Sequence, residues 1–119
     1  MRKHAGYLEV IAGPMYSGKT EELIRLVKRA SIGKKKVQVY KHAIDTRYGT
    51  DRKVFSHTGL SFESEVISKA EDILKHLQPN TEIIAIDEAQ WFGRALVPVI
   101  EELLKKGKRV LVAGLAMTY

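Results

Sequence analysis

The chain has 119 residues, no cysteine and a formal net charge of +6, with 45 % hydrophobic and 29 % charged residues. This length fits one domain with a core of its own, and the composition is typical of a soluble globular protein. The lack of cysteine excludes disulfides and thiolate metal sites within these residues. No apolar run is long enough to span a membrane, and the charged start leads into a strand rather than a signal-type segment, so we expect a cytoplasmic location.

The positive charge is concentrated after two predicted helices. Lys28-Arg29 and Lys34–Lys36 follow the first helix, and Lys105-Lys106 and Lys108-Arg109 follow the last. Cations at these places interact favourably with the helix dipole and usually lie in solvent. Binding of a polyanion such as nucleic acid is the alternative interpretation. We favour the first interpretation and expect no nucleic-acid partner.

The first predicted element is the apolar strand Tyr7–Ala12, which leads into a loop of the pattern G-x-x-x-x-G-K-[ST]. The loop consists of Gly13, Pro14, Met15, Tyr16, Ser17, Gly18, Lys19 and Thr20. Apolar residues then recur at helical spacing, at Leu23, Ile24, Val27 and Ala30. This order of strand, loop and helix is the context that a phosphate-binding loop requires.

The loop has the chemistry of a nucleotide site. Its glycines let successive backbone N–H groups converge on phosphate oxygens, and the helix start adds partial positive charge. Lys19 adds a positive charge near the β- and γ-phosphates, and Thr20 offers a hydroxyl to Mg²⁺. The pattern predicts that the protein binds a nucleoside triphosphate.

Strands and helices continue to alternate along the chain. Gly33 is predicted to close the first helix, Val37–Tyr40 to form a strand, and residues 41–64 to form a long irregular loop. A capping box, Ser68-x-x-Glu71, predicts the start of a second helix that ends by Pro79. That helix carries an apolar face made of Ala70, Ile73, Leu74 and Leu77.

The last third of the chain repeats the alternation. Glu82–Ile86 is a nearly apolar strand, residues 94–106 form an amphipathic helix, and Arg109–Ala113 is another buried strand. The apolar face of that helix consists of Leu96, Val97, Ile100, Leu103 and Leu104. Strands separated by helices predict an α/β fold, a doubly wound and mainly parallel sheet with its ligand at the carboxyl ends of the strands.

Two acids, Asp87 and Glu88, end the apolar strand. An acid here lies beside the phosphate loop in such sheets and holds Mg²⁺ directly or through water, which is the Walker B arrangement. Glu88 can accept a proton from the group that attacks the γ-phosphate. A water nucleophile would make the protein an ATPase, and a substrate hydroxyl would make it a kinase. The spacing alone leaves both open.

Five segments resemble the cytosolic-type (type II) thymidine kinases. The segments are Gly13–Leu23, Lys41–Tyr48, Ser56–Gly59, Asp87–Phe92 and Ala113–Leu115, and they occur in the family's order. The resemblance implies a RecA-like P-loop NTPase domain that transfers the γ-phosphoryl group of ATP to the 5′-hydroxyl of thymidine. It also implies a homo-oligomer, commonly a tetramer.

The resemblance also implies roles for individual residues. Glu88 would be the general base, Lys19 and Arg47 would stabilise charge on the transferred phosphoryl group, and Thr20 with Asp87 would hold Mg²⁺. The nucleotide would contact the whole phosphate loop and the segment Asp87, Glu88, Ala89 and Gln90. The substrate thymidine would contact Met15, Asp45, Arg47 and Trp91.

The sequence departs from the family pattern at three places. Trp91 stands where the family usually has Phe, and Ala116 stands where an Asp is usual. The family also continues into a small domain with zinc-binding cysteines and a lasso loop over thymidine, whereas this chain ends at Tyr119 without a zinc ligand set. We expect residues 1–119 to be the nucleotide-binding domain alone, which binds ATP and holds thymidine weakly.

Two other functions stay open beside kinase activity. The segment Asp87–Gln90 also resembles a helicase-type Walker B motif, so one alternative is a nucleic-acid-stimulated ATPase. The other alternative is an ATP-binding module without catalysis.

Overall fold

The described residues form strands and helices that alternate, except for four consecutive strands between the first two helices. The structure is a computed structural model, which describes residues 6–11, 19–43, 53–55 and 61–114. The strands are β1 (Tyr7–Ile11), β2 (Val37–His42), β3 (Lys53–Phe55), β4 (Ser61–Glu63), β5 (Glu65–Ile67), β6 (Ile83–Asp87) and β7 (Arg109–Ala113). The helices are α1 (Lys19–Ile32), α2 (Asp72–His76), a 3-10 helix (Ala89–Ala95) and α3 (Leu96–Lys105).

Five strands form one parallel sheet in the order β1-β7-β6-β2-β5. Every residue of the central strand β6 is buried, as expected for a strand that helices cover on both faces. The predicted fold class, an α/β domain with a mainly parallel sheet flanked by helices, is confirmed. β7 lies between β1 and β6, so the strand ahead of the phosphate loop and the strand that carries Asp87 are not neighbours.

The two faces of the sheet form two separate apolar clusters. Ile83 and Ala85 of β6 pack with α1 on one face. Ile84 and Ile86 pack with α2 and α3 on the other. Because side chains alternate along a strand, the next residue, Asp87, belongs to the α1 face.

Helix α1 buries the face that its apolar spacing predicts. Its inward residues are at most 8 % exposed, and burial of each large aliphatic side chain contributes about 1.5–3 kcal/mol. These residues are Leu23, Ile24, Val27 and Ala30. On the exposed face, the guanidinium of Arg25 donates to Glu22 (2.6 Å) and Glu21 (3.1 Å).

Helix α1 ends at Ile32, directly before Gly33, which the sequence predicts to close it. The N–H groups of Lys34 and Lys35 donate to the carbonyl oxygens of Ser31 and Ala30, which is the Schellman pattern. The left-handed residue of this turn is Lys34, with φ 64°, and not Gly33. A lysine therefore adopts a conformation that usually selects glycine.

Several short elements correct the sequence-based prediction. The segment expected to be one irregular loop contains β3 and β4, which pair in an antiparallel two-stranded sheet, and is followed at once by β5. The capping box is absent from this described stretch, because Glu71 is the N-cap of α2 and makes no side-chain capping bond. No helix in the described ranges is long and apolar enough to cross a membrane.

The final helix also differs from its prediction. A 3-10 helix with a non-helical residue inside it, Gly93 (φ 63°), precedes α3. Within α3, Val99 is buried, whereas Val97, which was predicted to face inward, is 55 % exposed. Gly107 follows α3 in a left-handed conformation (φ 78°) and leads into β7.

Candidate active site

The carboxyl edge of the sheet brings the end of β6 and the start of α1 to one side of the molecule. The last turn of α1 lies at the opposite edge, where Arg29 and Gly33 line a cavity together with Tyr7 and Arg109, which begin β1 and β7. The first turn of α1 therefore points to the edge where Asp87 ends β6. Ligands of open parallel sheets bind at this edge.

Asp87 is almost completely buried, with 5 % exposure, and belongs to the α1 face. The register of β2 against β6 places Lys41 beside it on the neighbouring strand, and Lys41 is 3 % exposed. A buried lysine is rare without an opposite charge nearby. Lys41 has no role predicted from the sequence, although its place directly after the predicted strand Val37–Tyr40 was an available signal.

Glu88 has an unusual backbone conformation. Its φ of 54° and ψ of 43° lie in the left-handed region, which costs an ordinary residue about 1–2 kcal/mol. This conformation turns the chain from β6 into the 3-10 helix. Such strain persists where surrounding structure holds it, and it is concentrated at functional sites.

The Glu88 carboxylate is held by two side-chain donors. The Gln90 amide donates to Oε2 at 2.9 Å, and the Trp91 indole N–H donates to the same oxygen at 3.2 Å. A backbone bond from the Trp91 N–H to the Glu88 carbonyl oxygen closes the turn at 3.2 Å. Consequently, both the backbone and the carboxylate of Glu88 have a defined orientation.

Gly114 supports this turn from the end of β7. A Cβ at Gly114 would meet Oε1 of Gln90 and would lie 3.1 Å from the Glu88 Cα and 3.2 Å from the Ala89 nitrogen. The φ of Gly114 is 88°. Only glycine satisfies both the space and the backbone angle without strain.

A comparison with protein-family models identifies the family of the chain. The protein-family model described as thymidine kinase matches residues 6–119. The chain belongs to the thymidine kinase family. Membership in the thymidine kinase family indicates a kinase that acts on a nucleoside and uses ATP. The resemblance seen in the sequence is confirmed.

The structure of this thymidine kinase family member describes seven of the site residues predicted from sequence. Asp87, Glu88, Gln90 and Trp91 lie together where β6 ends. The Ala89 side chain is fully buried in the cluster on the α3 face, so any nucleotide contact there belongs to its backbone. Lys19 and Thr20 form the first residues of α1.

The remaining predicted site residues lie outside the described ranges. They are Gly13, Pro14, Met15, Tyr16, Ser17, Gly18, Asp45 and Arg47, and Ala116 lies outside as well. The structure therefore describes the candidate residues at the end of β6 and those that begin α1.

Asp87 fits the requirements of Mg²⁺. A carboxylate is the ligand type that Mg²⁺ prefers, and this ion takes most of its other ligands from water and phosphate oxygens. No group of three or more candidate ligand side chains occurs within the described residues. Asp87 alone would contribute one protein ligand to a metal that arrives bound to a nucleotide.

Two cavities of this thymidine kinase family member are lined by residues that the structure describes. The larger, about 840 Å³, lies at the amino edge and is remote from Asp87 and Glu88. The smaller, about 620 Å³, includes His42, Trp91 and Phe92, with the rings of His42 and Phe92 edge to face at 4.8 Å. Trp91 borders this second cavity and is 50 % exposed.

Proposed function

We propose that the protein transfers the γ-phosphoryl group of ATP to the 5′-hydroxyl of thymidine. The observation that carries this proposal is Glu88, an acid in a left-handed conformation whose carboxylate is oriented by two donors. A residue held in this way at the ligand edge is suited to act as a general base. Family membership supplies the nucleoside substrate class.

Glu88 would accept the proton of the 5′-hydroxyl as its oxygen attacks the γ-phosphorus. The bond from the γ-phosphorus to the bridging oxygen breaks, and ADP leaves with that electron pair. Lys19 and Arg47 would offset the negative charge on the transferred group. Bound Mg²⁺ would supply charge neutralisation at the β- and γ-phosphates, held by Thr20 and Asp87.

The remaining residues would bind and orient the two substrates. Backbone N–H groups of the phosphate loop would bind the nucleotide phosphates, with Ala89 and Gln90 nearby. Met15, Asp45 and Trp91 would contact thymidine. We propose that residues 1–119 form the nucleotide-binding domain. We also propose that the protein assembles as a homo-oligomer, and light scattering would measure the molar mass of that assembly.

Substitution of the proposed base tests this function. We expect Glu88→Gln to lower kcat for thymidine phosphorylation by about 10²–10⁴-fold, because the amide cannot accept the proton. ATP affinity should change little. Glu101→Gln is the matched control, because Glu101 is exposed on α3. Full turnover in Glu88→Gln would disprove the assignment of the base.

The other two functions make different predictions in the same assay. ATP hydrolysis that rises with single-stranded DNA would indicate the nucleic-acid-stimulated ATPase. ATP binding without transfer or hydrolysis would indicate a binding module. Part of the basic charge is already neutralised, since Arg109 pairs with Glu9 and Lys35 with Glu82, which favours the interpretation without nucleic acid.

A further inference from the structure

We propose that Trp91 is a positioning residue, whose indole N–H holds the Glu88 carboxylate in the orientation that proton transfer needs. This inference rests on the proposed function, since it takes Glu88 as the base. It assigns to Trp91 a role that a phenylalanine at the same position could not perform, because the phenyl ring has no hydrogen-bond donor.

The contact geometry supports a positioning role. The indole Nε1 lies 3.2 Å from Oε2 of Glu88, and the backbone N–H of Trp91 lies at the same distance from the Glu88 carbonyl oxygen. Trp91 therefore contacts both the side chain and the backbone of one residue. Because the indole is rigid and its N–H only donates, the bond constrains the direction of the acceptor.

The exposure of Trp91 argues against a purely structural role. Half of the residue's surface is exposed, whereas the next aromatic residue, Phe92, is 8 % exposed and belongs to the core cluster. A large ring that stays half exposed contributes less to the core than its neighbour does. Its polar atom points to the one acid that the proposed reaction requires.

Gln90 donates to the same carboxylate oxygen, which makes the two donors separable by experiment. Its amide lies 2.9 Å from Oε2, and its other end lies against Gly114. The loss of the indole donor therefore leaves Glu88 with one of these two bonds. We expect a partial loss of rate rather than a complete one.

Steady-state kinetics of Trp91→Phe, with MgATP and thymidine, provide the first test. We expect kcat to fall about 10-fold, the size of effect expected when one hydrogen bond to a charged group is lost. The KM for thymidine and the KM for ATP should stay within about twofold, since a uniform loss of binding would raise KM instead. A higher KM for thymidine with unchanged kcat would overturn the positioning role and leave Trp91 only its proposed contact with thymidine.

Fluorescence provides a second test that does not depend on activity. Trp91 is the only tryptophan of the chain, so the emission spectrum reports this residue alone. We expect Glu88→Gln and Glu88→Ala to shift the emission maximum, because both remove the charged acceptor beside the indole. Glu101→Gln should leave the spectrum unchanged. Identical emission spectra of the parent and these three variants would show that the Trp91 indole does not contact the Glu88 carboxylate.

The two tests separate this inference from the proposed function. Full activity of Glu88→Gln together with a shifted spectrum would disprove the base and, with it, the positioning role. Inactive Glu88→Gln together with full kcat in Trp91→Phe would disprove the positioning role alone. Low kcat in both variants, unchanged KM in Trp91→Phe and a shifted spectrum in Glu88→Gln would support both assignments.

Discussion

Gly114 and Gln90 are packed so closely that a Cβ on the glycine would meet the amide oxygen of the glutamine. The end of β7 therefore fixes the turn in which Glu88 and its donor Gln90 lie. Because Gly114 also has a φ of 88°, a substitution there changes the backbone and the site together.

We expect Gly114→Ala to lower both stability and activity. The strained φ alone costs about 1–2 kcal/mol, and displacement of Gln90 removes a donor from the Glu88 carboxylate. Thermal unfolding and kcat measure the two effects. Gly33→Ala is the matched control, because its Cβ would only approach the carbonyl oxygens of Ala30 and Arg29 at 3.4 and 3.7 Å. Equal stability of both variants would contradict the prediction.

The left-handed conformation of Glu88 predicts a trade between stability and function. Glu88→Gly and Glu88→Ala both remove the carboxylate, but only glycine adopts a φ of 54° without strain. We expect the glycine variant to be more stable than the alanine variant by about 1 kcal/mol, and both to be inactive. Chemical denaturation measures the difference. A more stable alanine variant would show that this backbone conformation is not strained.

The buried hydroxyl of Tyr40 predicts a tolerated substitution. Tyr40 is 0 % exposed, and its hydroxyl has no hydrogen-bond partner within the described residues. We expect Tyr40→Phe to unfold with a free energy equal to that of the parent or up to about 1 kcal/mol higher at pH 7, because a buried polar group without a partner destabilises the fold. A clear loss of stability would indicate a partner for this hydroxyl.

Tyr40 also predicts a pH dependence. Burial, and to a smaller extent the Glu65 carboxylate, raises the pKa of Tyr40 above its ordinary value. Above about pH 10 the unfolded tyrosine loses its proton while the folded one keeps it, so stability falls by up to about 1.4 kcal/mol per pH unit. Tyr40→Phe should remove this part of the decline, whereas Tyr7→Phe, at an exposed position, should keep it. The same decline of stability with pH in the parent, Tyr40→Phe and Tyr7→Phe would contradict this prediction.

Gln38 forms a small buried network that joins β2 to the loop before β6. Its Oε1 accepts from the Thr81 hydroxyl (2.5 Å) and the Gln78 backbone N–H (2.9 Å), and its amide donates to the His76 carbonyl oxygen (3.0 Å). We expect Gln38→Leu to cost about 2–5 kcal/mol, because it leaves these groups without their partner.

Denaturant unfolding checks the Gln38 network. Gln78→Leu is the control, since Gln78 contributes its backbone N–H to the network and is exposed; a surface change of this kind usually costs less than about 0.5 kcal/mol. Similar losses for the two variants would show that the network does not stabilise the fold.

The sequence predicts those elements whose burial produces a periodic or a uniformly apolar run of residues. The predictions of helix α1 and strand β6 are correct, because the burial of these elements dictates which of their positions are apolar. Strands β3 and β4 have three residues each, which is too short for an alternating pattern to emerge. In α3, Val97 lies at helical spacing from Ile100 and Val99 lies at helical spacing from Leu103, so the spacing alone does not decide which of the two valines is buried.

Prediction of the site was limited in a different way. Asp87 and Glu88 were found because two acids directly follow an apolar strand. The sequence does not indicate the left-handed turn at Glu88, since glutamate is not a residue type that favours this conformation. It does not indicate the hydrogen bond from Trp91 either. Lys41 was missed because its partner position, Asp87, becomes a neighbour only through the strand register.

The position of β7 sets the width of the ligand edge. Neighbouring strands lie about 4.8 Å apart, so the chain leaves β1 and β6 at points about 10 Å from each other. β7 ends between them, and its next residue, Gly114, packs against the turn from Glu88 to Gln90. Under the proposed function, a triphosphate bound after β1 would therefore extend across the width of one strand to reach the acids of β6.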